Sequence, residues 1–264
     1  MVNSHSIPAF GVAAVVSGLV YYVAISSGAS SVGFNVSIAA AGALTAFSFL
    51  LLSLSSNLRD FRLLLALAAF LFLHFAMMQL EAWIFSLGAI DLQAALGLFI
   101  ICLVFSAPFA LASGIRPKTN PTISDLPTLY PPLLRLFLAA LAFPVIYFLA
   151  GITILPFVET FYRGLIPPIA ELMLWQLFRG LVFSLGALPL LLSFGASRFA
   201  ACAVFAIVMP IVGGIAPLLL PNAAMPPDVR VVHGAEITAS YVVYGALLAF
   251  CLYPVRNTGS ASVG

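Results

Sequence analysis

Long apolar stretches separated by short polar breaks make up most of the chain. Eight of them are long enough for a helix to cross the hydrocarbon core of a bilayer, which takes about 20 residues. They run roughly over residues 8–27, 34–55, 62–87, 90–112, 134–155, 175–195, 197–220 and 236–254. Backbone polar groups must be satisfied internally in lipid, which favours helices. The pattern predicts an all-α, polytopic membrane helix bundle of about eight transmembrane helices.

The prolines divide this predicted single transmembrane domain, residues 1–264, into two unlike halves. A proline-poor half covers residues 1–112, a polar loop covers 113–133, and a half with proline-kinked helices covers 134–254. A connector at 156–174 contains Pro167-Pro168, a pair that can start a helix. That helix either lies on the membrane surface or runs directly into the sixth span.

Composition narrows the class of protein. Hydrophobic residues make up 63% and charged residues 7%, against about 45–50% and about 25% in soluble domains. These values exclude a soluble globular enzyme and a nucleic-acid binder, and they make the lipid bilayer the expected surroundings. The net charge of +2 is too small to indicate an anionic partner. We predict no cofactor, because the cysteines Cys102, Cys202 and Cys251 are far apart within apolar stretches.

The basic residues predict an orientation. With eight spans, one side of the membrane holds seven of them and the other holds Arg163, Arg179 and Arg230. The positive-inside rule then predicts a multi-pass cell-membrane protein with both termini in the cytoplasm. Only Asp60 and Asp125, of eight acidic residues, fall on the cytoplasmic side. The other acids are therefore expected near the extracytoplasmic ends of the helices.

The third span contains His74 and Glu81, seven residues apart on one helical face, with Met77 and Met78 between them. Such a stripe could ligate copper or a haem iron. The alternative is a histidine hydrogen-bonded to a neighbouring helix, with methionines filling gaps in the core. We favour the alternative, because one helix supplies too few ligands for a closed metal site.

Glu159 and Arg163 form a second polar group, four residues apart on one helix turn. The segment is similar to the EExxxR-type motif of the CAAX-processing and bacteriocin-immunity membrane proteases. Val158 stands where that motif has its first glutamate, so the base that activates water is missing. A salt-bridged helix end is the better interpretation.

A third group brings further polar residues to the same predicted side of the membrane. Together with Glu159 and Arg163 it completes our candidate substrate-binding set: Gln176, Arg179, Asn222, Arg230, His233 and Glu236. The two arginines suit an anionic group, and His233 and Glu236 share one face of a helix start. Alternatively, these residues only cap and fasten helix ends.

The residues around this set carry a further likeness. Residues 144–151, the pair Glu159 and Arg163, residues 175–180 and residues 220–236 resemble a group of bacterial multi-span membrane proteins of unknown activity. The likeness covers roughly residues 140–250. It implies only that this polar set recurs together.

Three functions remain open at this point. We favour a small-solute permease or binding protein with an extracytoplasmic polar pocket. Next comes a non-catalytic assembly or anchoring subunit with a membrane-protein partner. Last comes an intramembrane metal- or Glu-dependent hydrolase built from Glu81, Glu159, His74, His233 and Glu236, and we do not favour an enzyme. The sequence has no GxxxxGK[ST] motif, so transport would be passive, ion-coupled or driven by a partner.

Overall fold

A computed structural model describes residues 6–26, 35–85, 91–115, 130–220 and 225–254. Within these ranges the chain forms eight helices: α1 (Ser6–Ser26), α2 (Val36–Ser55), α3 (Asp60–Ile84), α4 (Leu92–Ser113), α5 (Tyr130–Tyr162), α6 (Ile169–Leu192), α7 (Arg198–Leu219) and α8 (Pro227–Leu252). Helices α2 to α8 are long and apolar enough to cross a membrane, and α1 carries a shorter apolar segment, Ile7–Val23. The predicted all-α membrane bundle is confirmed. Most of the predicted polar loop lies outside the described residues.

Three predicted helix ends are wrong. Helix α5 continues to Tyr162 instead of ending at 155, because Pro156 lies inside it without ending it. Losing one hydrogen bond at a proline is cheaper in lipid than unwinding the helix, which would expose many backbone groups. Helix α6 begins at Ile169, directly after the proline pair, so the connector helix runs into the sixth span. Helix α8 begins at Pro227 instead of 236, with proline in its first turn.

Five of the helices form a ring. Helix α3 packs against α6, α6 against α5, α5 against α8, α8 against α7, and α7 against α3. Helices α1, α2 and α4 form a second group that packs against α3 and α7. Large apolar side chains such as Leu149, Leu174 and Phe199 remain exposed on the outside of the bundle. Such an exterior suits contact with lipid acyl chains.

One end of the ring is fastened by backbone hydrogen bonds between two connectors. The amide of Asn57 donates to the carbonyl of Ser193 at 2.8 Å, and the amide of Gly195 donates to the carbonyl of Ser55 at 2.8 Å. The hydroxyl groups of Ser56 and Ser193 lie 2.8 Å apart beside them. These bonds join the start of α3 to the end of α6. The opposite end of the ring is where α3, α5 and α7 finish and where α6 and α8 begin.

Helix α7 contains one wide turn. Residues Ile211–Ile215 form a π-helical turn, in which the amide of Ala216 donates to the carbonyl of Ile211. Pro217 follows and cannot donate to the carbonyl of Gly213. Glycine is required here by space, because a Cβ at Gly213 would stand 2.5 Å from the ring of Tyr241. The wide turn therefore lies where α7 and α8 approach closely.

We predict that Gly245→Ala destabilises the bundle by about 1–3 kcal/mol, the usual cost of overpacking. A Cβ at Gly245, in α8, would overlap the backbone carbonyl of Phe205 in α7, so the two helices would have to separate. Gly97→Ala is the matched control, because a Cβ on that glycine of α4 meets no atom within 4 Å. Unfolding of both variants by denaturing detergent would measure the difference. Equal stabilities would contradict the predicted close contact.

Candidate functional site

Arg179 lies in the interior of the ring, where three helices meet at its guanidinium group. The residue belongs to α6 and is only 2% exposed. Its Nη1 donates to Oε1 of Glu81 in α3, and its Nη2 donates to the hydroxyl of Tyr241 in α8 at 2.9 Å. Charge-assisted bonds of this kind are the strong ones in proteins. They hold α3, α6 and α8 together at one point.

Two aromatic rings also surround this guanidinium. Its central carbon lies 5.5 Å from the centroid of Phe143 in α5 and 5.4 Å from the centroid of Phe183 in α6. Aromatic faces attract cations within about 6 Å, more strongly when water is excluded. Phe143 and Phe183 contact each other edge to face, with centroids 5.4 Å apart. Helix α5 thus joins the other three around Arg179.

A histidine and a glutamate form a second pair near the start of α8. Nδ1 of His233 is 2.9 Å from Oε2 of Glu236, on the shared helical face that the sequence predicts. The side chain of His233 is 16% exposed and that of Glu236 is 4% exposed. Both pairs border a recess of about 10 Å³. A recess of this size holds roughly one water molecule.

The recess adjoins a cavity of about 580 Å³ inside the ring. Sites for small molecules measure roughly 300–1,000 Å³. All five ring helices supply its walls, which are mostly apolar or aromatic and include Phe75, Phe85, Tyr147, Ile152 and Tyr162. The charged lining consists of Glu81, Arg179, His233 and Glu236. A mostly apolar cavity with a few convergent polar groups is the usual form of a small-molecule site.

His74 takes no part in this charged lining. It is fully buried, its Nδ1 lies 2.7 Å from the carbonyl oxygen of Phe70, and its ring stacks on Phe183 at 4.4 Å. The favoured interpretation placed its hydrogen bond on a neighbouring helix, but the bond lies within α3 itself. Glu81, the second candidate metal ligand, bonds to Arg179 instead. Within the described ranges no three His, Cys, Asp or Glu side chains are grouped to hold a metal ion.

The structure brings together three members of the predicted binding set, Arg179, His233 and Glu236. Gln176 is buried one turn before Arg179, and its side-chain amide has no hydrogen-bond partner among the described residues. Gln176 does not border the cavity wall as described. Its unpaired amide is an unexplained polar group within the bundle.

The remaining members lie elsewhere. Glu159 and Arg163 pair with each other at 3.4 Å on the outside of α5, with side chains 62% and 75% exposed. This is the salt-bridged helix end that the spacing favours. Arg230 is half-buried and donates to the carbonyl of Met225 at 3.1 Å. Asn222 lies outside the described residues.

The binding set predicted from the sequence omits two residues of the site: Glu81, which is predicted there only as a metal ligand or a hydrolase residue, and Tyr241. Glu81 carried a usable signal, because a carboxylate within a span needs a cation and Arg179 is predicted at the same membrane side. Tyr241 carried none, because a tyrosine in an apolar helix is common and its hydrogen-bond partner depends on helix rotation. Both residues bind the guanidinium group directly.

Comparison of the chain with protein-family models, with curated proteins and with solved structures finds no match. The likeness over residues 140–250 therefore stays a prediction. What the site can do has to be inferred from its own geometry.

We predict that Arg179→Gln lowers the stability of the bundle by about 3–5 kcal/mol, since it leaves Glu81 without its counter-charge. Adding Glu81→Gln to that variant should recover most of the loss, because the double variant carries no unpaired charge at this position. Unfolding by denaturing detergent, run on both single variants and the double variant, gives the coupling directly.

Glu159→Gln is the matched control for this cycle. It breaks an exposed ion pair, which is worth about 0–1 kcal/mol. A double variant as unstable as the sum of its two single variants would contradict the pairing of Glu81 with Arg179.

Proposed function

We propose that this multi-span membrane protein binds a small, partly apolar solute in the ring cavity and acts as its permease or binding protein. The observation that carries the proposal is the cavity of about 580 Å³, which all five ring helices line and which has charged groups at its inner end. A cavity that only separated helix ends would gain nothing from buried charges, which are expensive in a membrane.

The ring interior next to the cavity supports a permease. Phe143 and Phe183 fill the ring interior beside Arg179, and Tyr244 packs against Phe143 with centroids 4.8 Å apart. The hydroxyl of Tyr244 donates to the carbonyl of Gly180 at 3.0 Å. These contacts close the ring interior beside the charged groups, and closure on one side of a site is one of the requirements of alternating access.

The wide turn of α7 offers a place for the helix to bend. Gly213, within that turn, and Pro217, just after it, both border the cavity. Wide turns and prolines are the usual sites of helix bending, and wide turns are frequent at functional sites. Movement there would change the shape of the cavity directly. The energy for such a movement would come from a solute gradient, a coupled ion or a partner protein.

The hydrolase alternative is less well supported. It requires Glu159 to act together with His74 or His233, yet Glu159 is exposed on α5 and pairs with Arg163. His74 is enclosed by aromatic rings and is absent from the cavity lining. The anchoring alternative requires no cavity at all.

We expect Gly151→Phe to abolish solute binding. Gly151 borders the cavity, and a Cβ added there meets no atom within 4 Å, so a larger side chain can begin at this position without a clash at its first atom. A solute present at a concentration of 100 times its Kd adds about 2.7 kcal/mol to the stability of the native protein. A thermal-stability screen of the purified protein with a solute library measures that gain.

Gly97→Phe is the control for this screen, because Gly97 in α4 has equal open space and does not border the cavity. Solutes should stabilise the Gly97→Phe variant as they stabilise the native protein, and they should leave the Gly151→Phe variant unchanged. Identical responses of both variants, or no stabilising solute in the library, would argue against the proposed function.

We further predict that the cavity end of the ring faces the extracytoplasmic side. After Cys102, Cys202 and Cys251 are replaced by alanine, Arg163→Cys and Arg62→Cys each provide one exposed thiol, at opposite ends of the bundle. A membrane-impermeant thiol reagent should label Arg163→Cys in intact cells and label Arg62→Cys only after permeabilisation. The reverse pattern would invert the predicted orientation.

A further inference from the structure

Among the described residues, two carboxylates and one guanidinium group border the cavity, together with one imidazole: Glu81, Glu236, Arg179 and His233. The guanidinium group of Arg179 is permanently positive and neutralises Glu81, to which it is bonded. The carboxylate of Glu236 is left without a permanent positive charge among these four, and the imidazole of His233 lies beside it, with Nδ1 2.9 Å from Oε2.

The other groups that face Glu236 supply no further positive charge. Helix α5 contributes the phenols of Tyr147 and Tyr162, and α8 itself contributes Tyr241. The part of α7 that borders the cavity contributes Gly213, Pro217, Leu218 and Leu220, none of which is ionisable. Arg230, six residues before Glu236 in α8, donates to the carbonyl of Met225 and is absent from the described lining.

On the basis of the proposed function, we propose that the solute is an organic monocation with an apolar body, whose charge lies against the carboxylates of Glu81 and Glu236. An uncompensated charge within a membrane is expensive, so a surplus carboxylate in the cavity favours a solute with one positive charge.

The walls favour an organic cation over a metal ion. Phe75, Phe85, Tyr147 and Tyr162 present aromatic side chains to the cavity, and aromatic faces bind ammonium-type cations. Hard metal ions need six or more oxygen ligands, whereas this lining is mostly apolar. The cavity volume of about 580 Å³ suits a molecule of drug size.

An anion finds no comparable partner in this cavity. The side chain of Arg179 is 3% exposed, and its two terminal nitrogens are already bonded to Glu81 and Tyr241. An anion would have to displace the carboxylate of Glu81, whose own charge would then be uncompensated. The accessible edge of this pair is Glu81, which is 18% exposed.

The test uses two probes of the same shape and opposite charge, tetraphenylphosphonium and tetraphenylborate. Equilibrium binding of each to the protein in nanodiscs is measured. We expect the cation to bind and the anion not to bind.

Variants connect the cation to its site. Glu236→Gln should weaken binding of the cation at least about tenfold. His233→Gln keeps the carboxylate and should still bind the cation, which provides a second reading if Glu236→Gln fails to fold. Glu159→Gln, at the exposed pair on α5, should behave as the native protein does.

The outcomes separate this proposal from the proposed function. Binding of tetraphenylborate, or cation binding that Glu236→Gln leaves unchanged, overturns the proposal. If the anion or a neutral solute binds natively and is lost in Gly151→Phe, the cavity still serves a solute and only its charge class is wrong. If neither probe binds and no library solute distinguishes Gly151→Phe from Gly97→Phe, both proposals fall together.

Discussion

A guanidinium group buried among helices must be neutralised where it lies, because arginine cannot discard its proton within a membrane. Arg179 meets this demand with a carboxylate from α3, a phenol from α8 and two aromatic faces from α5 and α6. The four helices are not all consecutive in the chain. The side chain of Arg179 belongs to one of them and contacts the other three, so it constrains how the four helices are rotated relative to one another. The rest of the ring is arranged around that requirement.

The ring is held differently at its two ends. Backbone hydrogen bonds between Asn57, Ser193, Gly195 and Ser55 tie one end together. Among the described residues, the other end is joined by side chains that also border the cavity, including the ring contact of Phe85 with Tyr162. Stability and ligand contact therefore depend on the same residues there. A solute that bonds to Glu81 competes with the interaction that keeps α3 against α6.

The fold was largely predictable from sequence, because lipid restricts a spanning chain to a few backbone arrangements. The errors fell at helix ends, where the local rule that proline stops a helix was overridden within α5 at Pro156. The membrane side of the polar residues, which the positive-inside rule predicts, stays a prediction. The hydropathy of the sequence does not determine how each helix is rotated about its own axis. That rotation turns Glu81 toward Arg179 and leaves Glu159 outside.

The π-helical turn of α7 has a geometric consequence for both of its neighbours. An α-helix advances about 100° per residue, so a turn that takes in one additional residue offsets the phase of everything after it by that angle. Before the turn, α7 presents Phe205 to the backbone of α8. After it, Pro217 and Leu218 border the cavity. Because of this one additional residue, the part of α7 before the turn packs against α8, and the part from the turn onward borders the cavity.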